Sequence, residues 1–112
     1  MTINEIQPYR DEIHNFFTQK NLPFWLDRCM DSENGGYITH FDKDGNDSFT
    51  DEKSLISQSR TVYSMSAAAR AGYFPEKCSK YAEHGVDFLI NTLWDKEHGG
   101  FFWMSDRAGN IT

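Results

Sequence analysis

The sequence predicts a mainly α-helical fold in which helical hairpins are joined by short β-hairpin loops. Three observations support this fold class: an internal repeat, two segments with apolar residues at helical spacing, and a Gly-Gly-aromatic triplet after each of those segments. A length of 112 residues suits a single domain. We therefore expect residues 1–112 to form one partial domain without an internal boundary, holding about one and a half repeat units.

The internal repeat is clearest in the loops. The stretch DSENGGYITHFDKDGN at 31–46 recurs in altered form as DKEHGGFFWMSDRAGN at 95–110, at an offset of 64 residues and without a gap. The identical pairs are Asp31/Asp95, Glu33/Glu97, Gly35/Gly99, Gly36/Gly100, Asp42/Asp106, Gly45/Gly109 and Asn46/Asn110. Chance at ordinary residue frequencies gives about one identity over such a stretch, so the similarity is a true repeat.

The first helix is predicted between Pro8 and Cys29. Apolar side chains recur there at the three- and four-residue spacing of an amphipathic helix, namely at Ile13, Phe16, Phe17, Phe24 and Trp25. Pro23 lies inside this segment, and proline lacks the N–H that a helix interior uses. We therefore expect a kink or a break at Pro23.

A loop of the same kind follows each amphipathic segment. The Gly-Gly-aromatic triplet comes first, then a short alternating run, and then DKDGN at 42–46 or DRAGN at 106–110. Gly and Asn tolerate positive φ, so these five residues predict a tight reversal between two short strands.

Two further helices complete the predicted architecture. Residues 54–72 are rich in Ala and Ser and end at Gly72, which is suited to a C-terminal cap. Their small side chains allow close helix packing, so this inner helix is predicted to line the middle of an assembly. Residues 75–94 begin with Pro75, which fits a first helical turn because its missing N–H is not needed there. The apolar stripe of this outer helix comprises Cys78, Tyr81, Ala82, Gly85, Phe88, Leu89 and Leu93.

Charge and cysteine usage exclude several functional classes. The net charge is −6, and eleven basic residues are scattered among seventeen acidic ones, so no nucleic-acid partner is expected. Cys29 and Cys78 lack metal-ligand spacing and predict two reduced thiols in a cytoplasmic protein. There is no signal-peptide pattern and no apolar run of the roughly 20 residues that a membrane helix needs, so no membrane partner is expected.

The order of these motifs resembles the N-acylglucosamine 2-epimerase family. The segments that carry the resemblance are LPFWLDRCMDSENGGYITHFDKDGN, DEKSLISQSRTVYSMSAA and DKEHGGFFWMSDRAG, and it extends from Tyr9 to the last residue. The family includes cellobiose 2-epimerases and aldose–ketose isomerases acting on mannose and related sugars, and it implies an (α/α)6 barrel. The repeat unit agrees with one hairpin of such a ring. Because the sequence stops inside the second loop, we expect it to be the N-terminal part of a longer protein.

The resemblance also implies an activity for that longer protein. A base removes the C2 proton of a ring-opened sugar, and reprotonation of the resulting enediolate gives the epimer or the isomer. The implied substrate is a mono- or disaccharide, no cofactor or metal is implied, and a homodimer is compatible with the family. The family's catalytic histidines belong to later repeats, and none of the four histidines here matches their motifs, so the 112 residues alone are expected to be inactive.

Arg60 is the principal candidate for a catalytic and substrate-binding residue. An arginine within a helix of small and apolar residues predicts a buried charge, which needs either an acid from a neighbouring helix or ligand oxygens. The resemblance implies the second alternative, because the arginine of the family's QSR-like motif contacts sugar oxygens near C1 and C2. Tyr63, one turn later, and Trp103, in the second loop, are further candidates for sugar binding, with ordinary packing as the alternative for both.

Two other functions fit parts of the sequence. The segments DSENGGYITHFD and DKEHGGFFWMSD can be aligned with a calcium-binding EF-hand loop, although the fifth position is Gly and the twelfth is Asp in both. Other helical toroids include glycoside hydrolases, which use a pair of carboxylates. The inner helix carries no acidic residue, which favours an isomerase over a hydrolase.

Overall fold

A computed structural model describes all 112 residues and shows a mainly helical chain with two very short strands. The elements are α1 (Ile3–Phe16), α2 (Leu22–Arg28), β1 (Lys53–Ser54), α3 (Leu55–Arg70), α4 (Pro75–Phe88) and β2 (Met104–Ser105). Two π-helical segments, Phe17–Asn21 and Leu89–Leu93, follow α1 and α4. No helix has the length and apolar character needed to cross a membrane. The predicted fold class is confirmed.

The first helix begins earlier than the predicted start at Pro8. Thr2 and Glu5 form a capping box, in which the Thr2 side chain accepts the Glu5 N–H at 3.3 Å and the Glu5 carboxylate accepts the Thr2 N–H at 3.1 Å. This reciprocal pairing satisfies N–H groups that otherwise lack partners at a helix start. Pro8 therefore lies inside α1 and does not begin it.

Pro23 does not break the helical path, because a π-helical turn precedes it. The chain stays helical through Phe17–Asn21 and continues as α2 to Arg28, with Pro23 in the first turn of α2. The Leu22 N–H donates to the carbonyl of Phe17, one residue further back than in an α-helix. Such a widened turn lets the helical path continue although proline has no N–H to donate. The expected break is therefore absent, and the irregularity takes the form of one widened turn.

Helices α3 and α4 form an antiparallel hairpin. Gly72 adopts a φ of 89° just after α3. The N–H groups of Gly72 and Tyr73 return to the carbonyls of Ala69 and Ala68, at 3.1 and 2.9 Å. This is a Schellman cap, which glycine favours because it needs positive φ. The predicted cap at Gly72 and the predicted helix start at Pro75 are both confirmed.

The core lies between this hairpin, α2 and the loop at 31–46, which is called the first loop; the loop at 95–110 is the second loop. Its buried members are Leu22, Leu26, Cys29, Tyr37, Met65, Ala68, Cys78, Tyr81 and Ala82. Gly85 is essential to the packing, since a Cβ there would lie 2.5 Å from Val62 Cγ2 and would also collide with the ring of Tyr37. Tyr37, which is completely buried, thereby inserts between α3 and α4.

The two loops form the same backbone hydrogen bonds 64 residues apart. In the first loop the N–H of Asp31 donates to Gly36 at 3.0 Å and that of Gly45 to Asp42 at 3.0 Å; in the second, Asp95 donates to Gly100 at 2.8 Å and Gly109 to Asp106 at 3.1 Å. The reversals predicted at 42–46 and 106–110 are therefore present.

The two-residue strands pair between the repeats and not within a hairpin. Strand β1 is antiparallel to β2, with Lys53 opposite Ser105 and Ser54 opposite Met104. Within each loop only isolated bridges occur across the reversal. The reversals are held instead by side chains: one Asp42 oxygen accepts the N–H groups of Asp44 and Asn46 at 2.8 and 3.0 Å.

Candidate functional site

A groove of about 510 Å³ separates α3 from the junction of α1 and α2. The first helical segments contribute an apolar wall that contains Phe17, Leu22 and Trp25. Helix α3 contributes a polar wall of Ser57, Arg60, Thr61 and Ser64. The groove thus combines apolar surface with hydroxyl groups and one cation, and its volume is typical of small-molecule sites.

Arg60 is exposed on the groove side of α3 and forms no hydrogen bond or ion pair within the chain. The expectation of a buried guanidinium is therefore wrong for these residues, because no other element packs on that face of α3. Within the chain, Arg60 forms no salt bridge with an acidic side chain. A guanidinium without a protein partner keeps all five of its donors free for a ligand.

Tyr63 and Trp103 do not line this groove. Tyr63 is 75% exposed one turn after Arg60, and Trp103 is 59% exposed. The backbone carbonyl of Trp103 accepts the N–H of Leu55 at 2.8 Å, which places the second loop at the start of α3. Neither side chain belongs to the core of this chain.

Gln58 has a positioning role that the sequence reasoning missed. Its side chain is completely buried. Its Oε1 accepts the Tyr37 N–H at 2.8 Å, and its Nε2 donates to the Tyr37 carbonyl at 3.0 Å. This two-point clamp attaches the first loop to the same helix that carries Arg60. The available signal was an amide side chain on the apolar face of a helix.

A buried ion pair closes the first loop and was also missed. The Lys53 ammonium donates to Asp31 Oδ2 at 2.6 Å and to the carbonyl of Gly35 at 2.8 Å. Burial alone would raise the pKa of Asp31, but hydrogen bonds from Lys53 and from the N–H groups of Asn34 and Glu33 outweigh it, so the pKa of this carboxyl lies below its usual value. Asp31 is therefore held in its charged form.

In the first loop, these contacts disfavour the calcium-binding alternative. Asp31 would be the first ligand of the EF-hand loop, yet its Oδ2 binds an ammonium and its Oδ1 accepts the N–H groups of Glu33 and Asn34, each at 3.0 Å. No group of three or more His, Cys, Asp or Glu side chains in the structure is arranged to hold a metal ion. The loop is organised around Lys53.

No histidine or cysteine lies in the groove. His84 is half-buried, and its Nε2 lies 2.9 Å from the carbonyl of Gly36. Cys29 and Cys78 form no disulfide, as predicted, and both are buried. Burial raises the pKa of the Cys29 thiol to about 12, which keeps it neutral. The groove therefore holds a cation but no side chain suited to remove a proton near neutral pH.

Comparisons with known proteins identify the family of this chain. The sequence profile of the N-acylglucosamine 2-epimerase (GlcNAc 2-epimerase) family matches residues 36–112. The chain belongs to the N-acylglucosamine 2-epimerase family. This assignment favours the epimerase interpretation over the glycoside hydrolase alternative, and the hairpin of α3 and α4 forms part of the family's (α/α)6 barrel.

Several family members resemble the chain along most of its length. A cellobiose 2-epimerase from Dictyoglomus turgidum is 31% identical over 105 residues, which are 94% of this chain and 26% of that protein. A D-mannose isomerase from Marinomonas mediterranea is 26% identical over 96 residues, which are 83% of this chain and 23% of that protein. The solved cellobiose 2-epimerase of Bacillus thermoamylovorans B4167 superposes with a TM-score of 0.83 at 31% identity, over 95% of this chain and 27% of that one. The chain thus spans about a quarter of the length of these relatives.

Proposed function

We propose that this chain is part of a sugar epimerase or isomerase that acts at C2, and that Arg60 contacts the substrate. The observation that carries the proposal is the unpaired guanidinium of Arg60 in the groove, on the helix that contains the family's QSR-like motif. The substrate is a mono- or disaccharide, in line with the relatives named cellobiose 2-epimerase and D-mannose isomerase.

The role of Arg60 follows from the charge that the reaction develops. Removal of the C2 proton next to the sugar carbonyl gives an enediolate, whose negative charge resides on oxygen. A guanidinium binds such oxygens with two parallel N–H groups and stabilises them more strongly as the charge grows. Ser57 and Thr61 lie on the same wall, where their hydroxyls donate to backbone carbonyls of the helix and their oxygens could still accept a hydrogen bond from a sugar hydroxyl.

Tyr63 and Trp103 extend the proposed sugar-binding surface beyond the groove. Both are aromatic and exposed, and they belong to α3 and to the loop hydrogen-bonded to its first turn. The apolar C–H face of a sugar packs well against aromatic rings. The proton-abstracting base is expected from another part of the longer protein, because no histidine of this chain lines the groove.

A chimaera tests the proposal. Residues 1–112 replace the matching segment of the Dictyoglomus turgidum cellobiose 2-epimerase, and cellobiose epimerisation is followed by NMR. Arg60→Ala is expected to lower kcat by about 100- to 1,000-fold, the usual effect of losing one donor to a developing oxyanion. The kcat of Arg60→Lys should lie between those of the unmutated chimaera and of Arg60→Ala, because lysine keeps the charge but not the paired donors.

Arg70→Ala provides the matched control, since Arg70 is an exposed arginine in the last turn of α3 that does not line the groove. This variant should keep the turnover of the unmutated chimaera. Full turnover of Arg60→Ala, with unchanged circular dichroism, would refute the role proposed for Arg60.

A further inference from the structure

The first loop is covered by β1 and the start of α3 through two polar side chains. The Lys53 ammonium binds Asp31 Oδ2 and the carbonyl of Gly35. Five residues later, the Gln58 amide binds both backbone groups of Tyr37. A Lys-x4-Gln sequence at a helix start therefore provides hydrogen-bond partners for one carboxylate, for one loop carbonyl, and for both the N–H and the carbonyl of a third loop residue.

The second loop displays the same groups without a covering helix. The backbone N–H and carbonyl of Phe101 and the carbonyl of Gly99 have no hydrogen-bond partner in the chain. Phe101 is 47% exposed, whereas its counterpart Tyr37 is completely buried. Oδ2 of Asp95 faces only the ring of His98, at 3.4 Å, and that ring is 74% exposed.

The geometry of the second loop is already that of the covered loop. Gly99 and Gly100 both have a φ of 77°, close to the 83° and 69° of Gly35 and Gly36. Oδ1 of Asp95 accepts two loop N–H groups at 2.9 and 3.1 Å, as Oδ1 of Asp31 does at 3.0 Å. The second oxygen of each carboxylate is thereby left for a partner outside the loop.

We propose that the second loop is a docking site for a strand–helix segment with the pattern Lys-x4-Gln, in which the Lys lies just before the helix and the Gln at its start, supplied by a further repeat of the same kind. The ammonium binds Asp95 Oδ2 and the Gly99 carbonyl, and the amide binds the backbone of Phe101. A helix with only apolar or acidic residues there would leave Asp95 or the Phe101 peptide groups buried without partners, which is costly. This specificity concerns assembly and does not depend on any role of Arg60.

A tandem extension of the chain tests this docking. A second copy of residues 49–88 is fused directly after Thr112, because Thr112 occupies the repeat position of Ser48. The copied Lys and Gln then lie in the register that Lys53 and Gln58 have toward the first loop. The Phe101 amide should exchange its hydrogen about 100-fold more slowly than in the unextended chain, while the Tyr37 amide stays protected in both.

A matched fusion changes only the copied Lys to Met and the copied Gln to Leu. Phe101 exchange in this control should return to the rate of the unextended chain. Equal protection of the Phe101 amide in both fusions would overturn the proposed chemistry. Fast exchange of Phe101 in the unmutated fusion, with Tyr37 still protected, would overturn it as well. A shorter fusion that appends residues 49–72 repeats the test without the second outer helix, should the longer chain aggregate.

Discussion

Lys53 is the residue at which the two repeats meet. Its ammonium is buried and donates to three oxygens: Asp31 Oδ2, the Gly35 carbonyl and, at 3.0 Å, the carbonyl of Arg107 in the second loop. An ammonium has three donors, so all of them are used. One side chain therefore neutralises the Asp31 carboxylate of the first loop and attaches the second loop to it.

Removing only one partner of this pair should be far more harmful than removing both. Lys53→Met is expected to lower the free energy of unfolding by about 3 to 5 kcal/mol, because it leaves the Asp31 carboxylate buried without its counter-charge. The double variant Lys53→Met/Asp31→Asn should recover much of this loss, because Asn removes the buried charge and keeps the Oδ1 acceptor of the Glu33 and Asn34 N–H groups. Urea unfolding followed by tryptophan fluorescence measures both, and a double variant less stable than Lys53→Met would contradict the explanation.

At the scale of elements, α3 has two faces with different tasks. Gln58, Met65 and Ala68 are buried toward α4 and the first loop. Arg60 and Tyr63 are exposed on the opposite side. The inner helix thus fixes the loop with one face and presents its functional candidates with the other.

The Gln58 clamp gives a prediction at this scale. Gln58→Leu leaves the N–H and the carbonyl of Tyr37 buried without partners, at a cost of about 1 to 3 kcal/mol for each group. Gln19→Leu is the control, since Gln19 is exposed and its side chain forms no hydrogen bond. The midpoint of thermal unfolding should fall clearly for Gln58→Leu and stay nearly constant for Gln19→Leu. Equal midpoints would show that the clamp contributes little.

The second loop is attached to the first by a further ion pair. Arg107 donates to both oxygens of Asp47, at 3.2 and 2.5 Å, and its backbone N–H donates to Asp51 at 2.7 Å. This pairing lowers the pKa of Asp47. Together with β1 and β2, it joins the loops of successive repeats side by side.

Sequence patterns predicted the elements better than their connections. The stripe of α4 and the Gly72 cap were correct because apolar spacing and glycine conformation act over a few residues. A kink or a break was expected at Pro23; no break occurs, since a π-helical turn compensates locally for the N–H that proline lacks. The contacts of Lys53 and Gln58 could not be predicted, because each joins residues more than twenty positions apart.

At the scale of the whole molecule, the chain is elongated and has few buried residues. Its extents are 55 × 31 × 27 Å, and α1 has no buried residue although Ile6, Tyr9 and Ile13 line one of its sides. Only 17 of 112 residues are buried, so much of the apolar surface of this chain is exposed.

The catalytic consequence is testable with the 112 residues alone. We expect them to leave cellobiose unchanged, because the groove contains Arg60 but no histidine to remove the C2 proton. The chimaera described above, assayed under the same conditions by NMR, serves as the positive control. Measurable epimerisation by the isolated chain would show that the base lies within these residues.

The sequence by itself determined the helices, the loop reversals, the 64-residue repeat and the family, because periodicity, glycine conformation and motif order are properties of neighbouring residues. Only the tertiary structure decided that Lys53 serves both loops, that Gln58 holds Tyr37, and that Arg60 stands unpaired in a groove. Those facts depend on which distant segments meet. The free energy of a buried polar contact depends on which groups are paired and on how well they are shielded from water. Neither can be read from the neighbouring residues in the sequence.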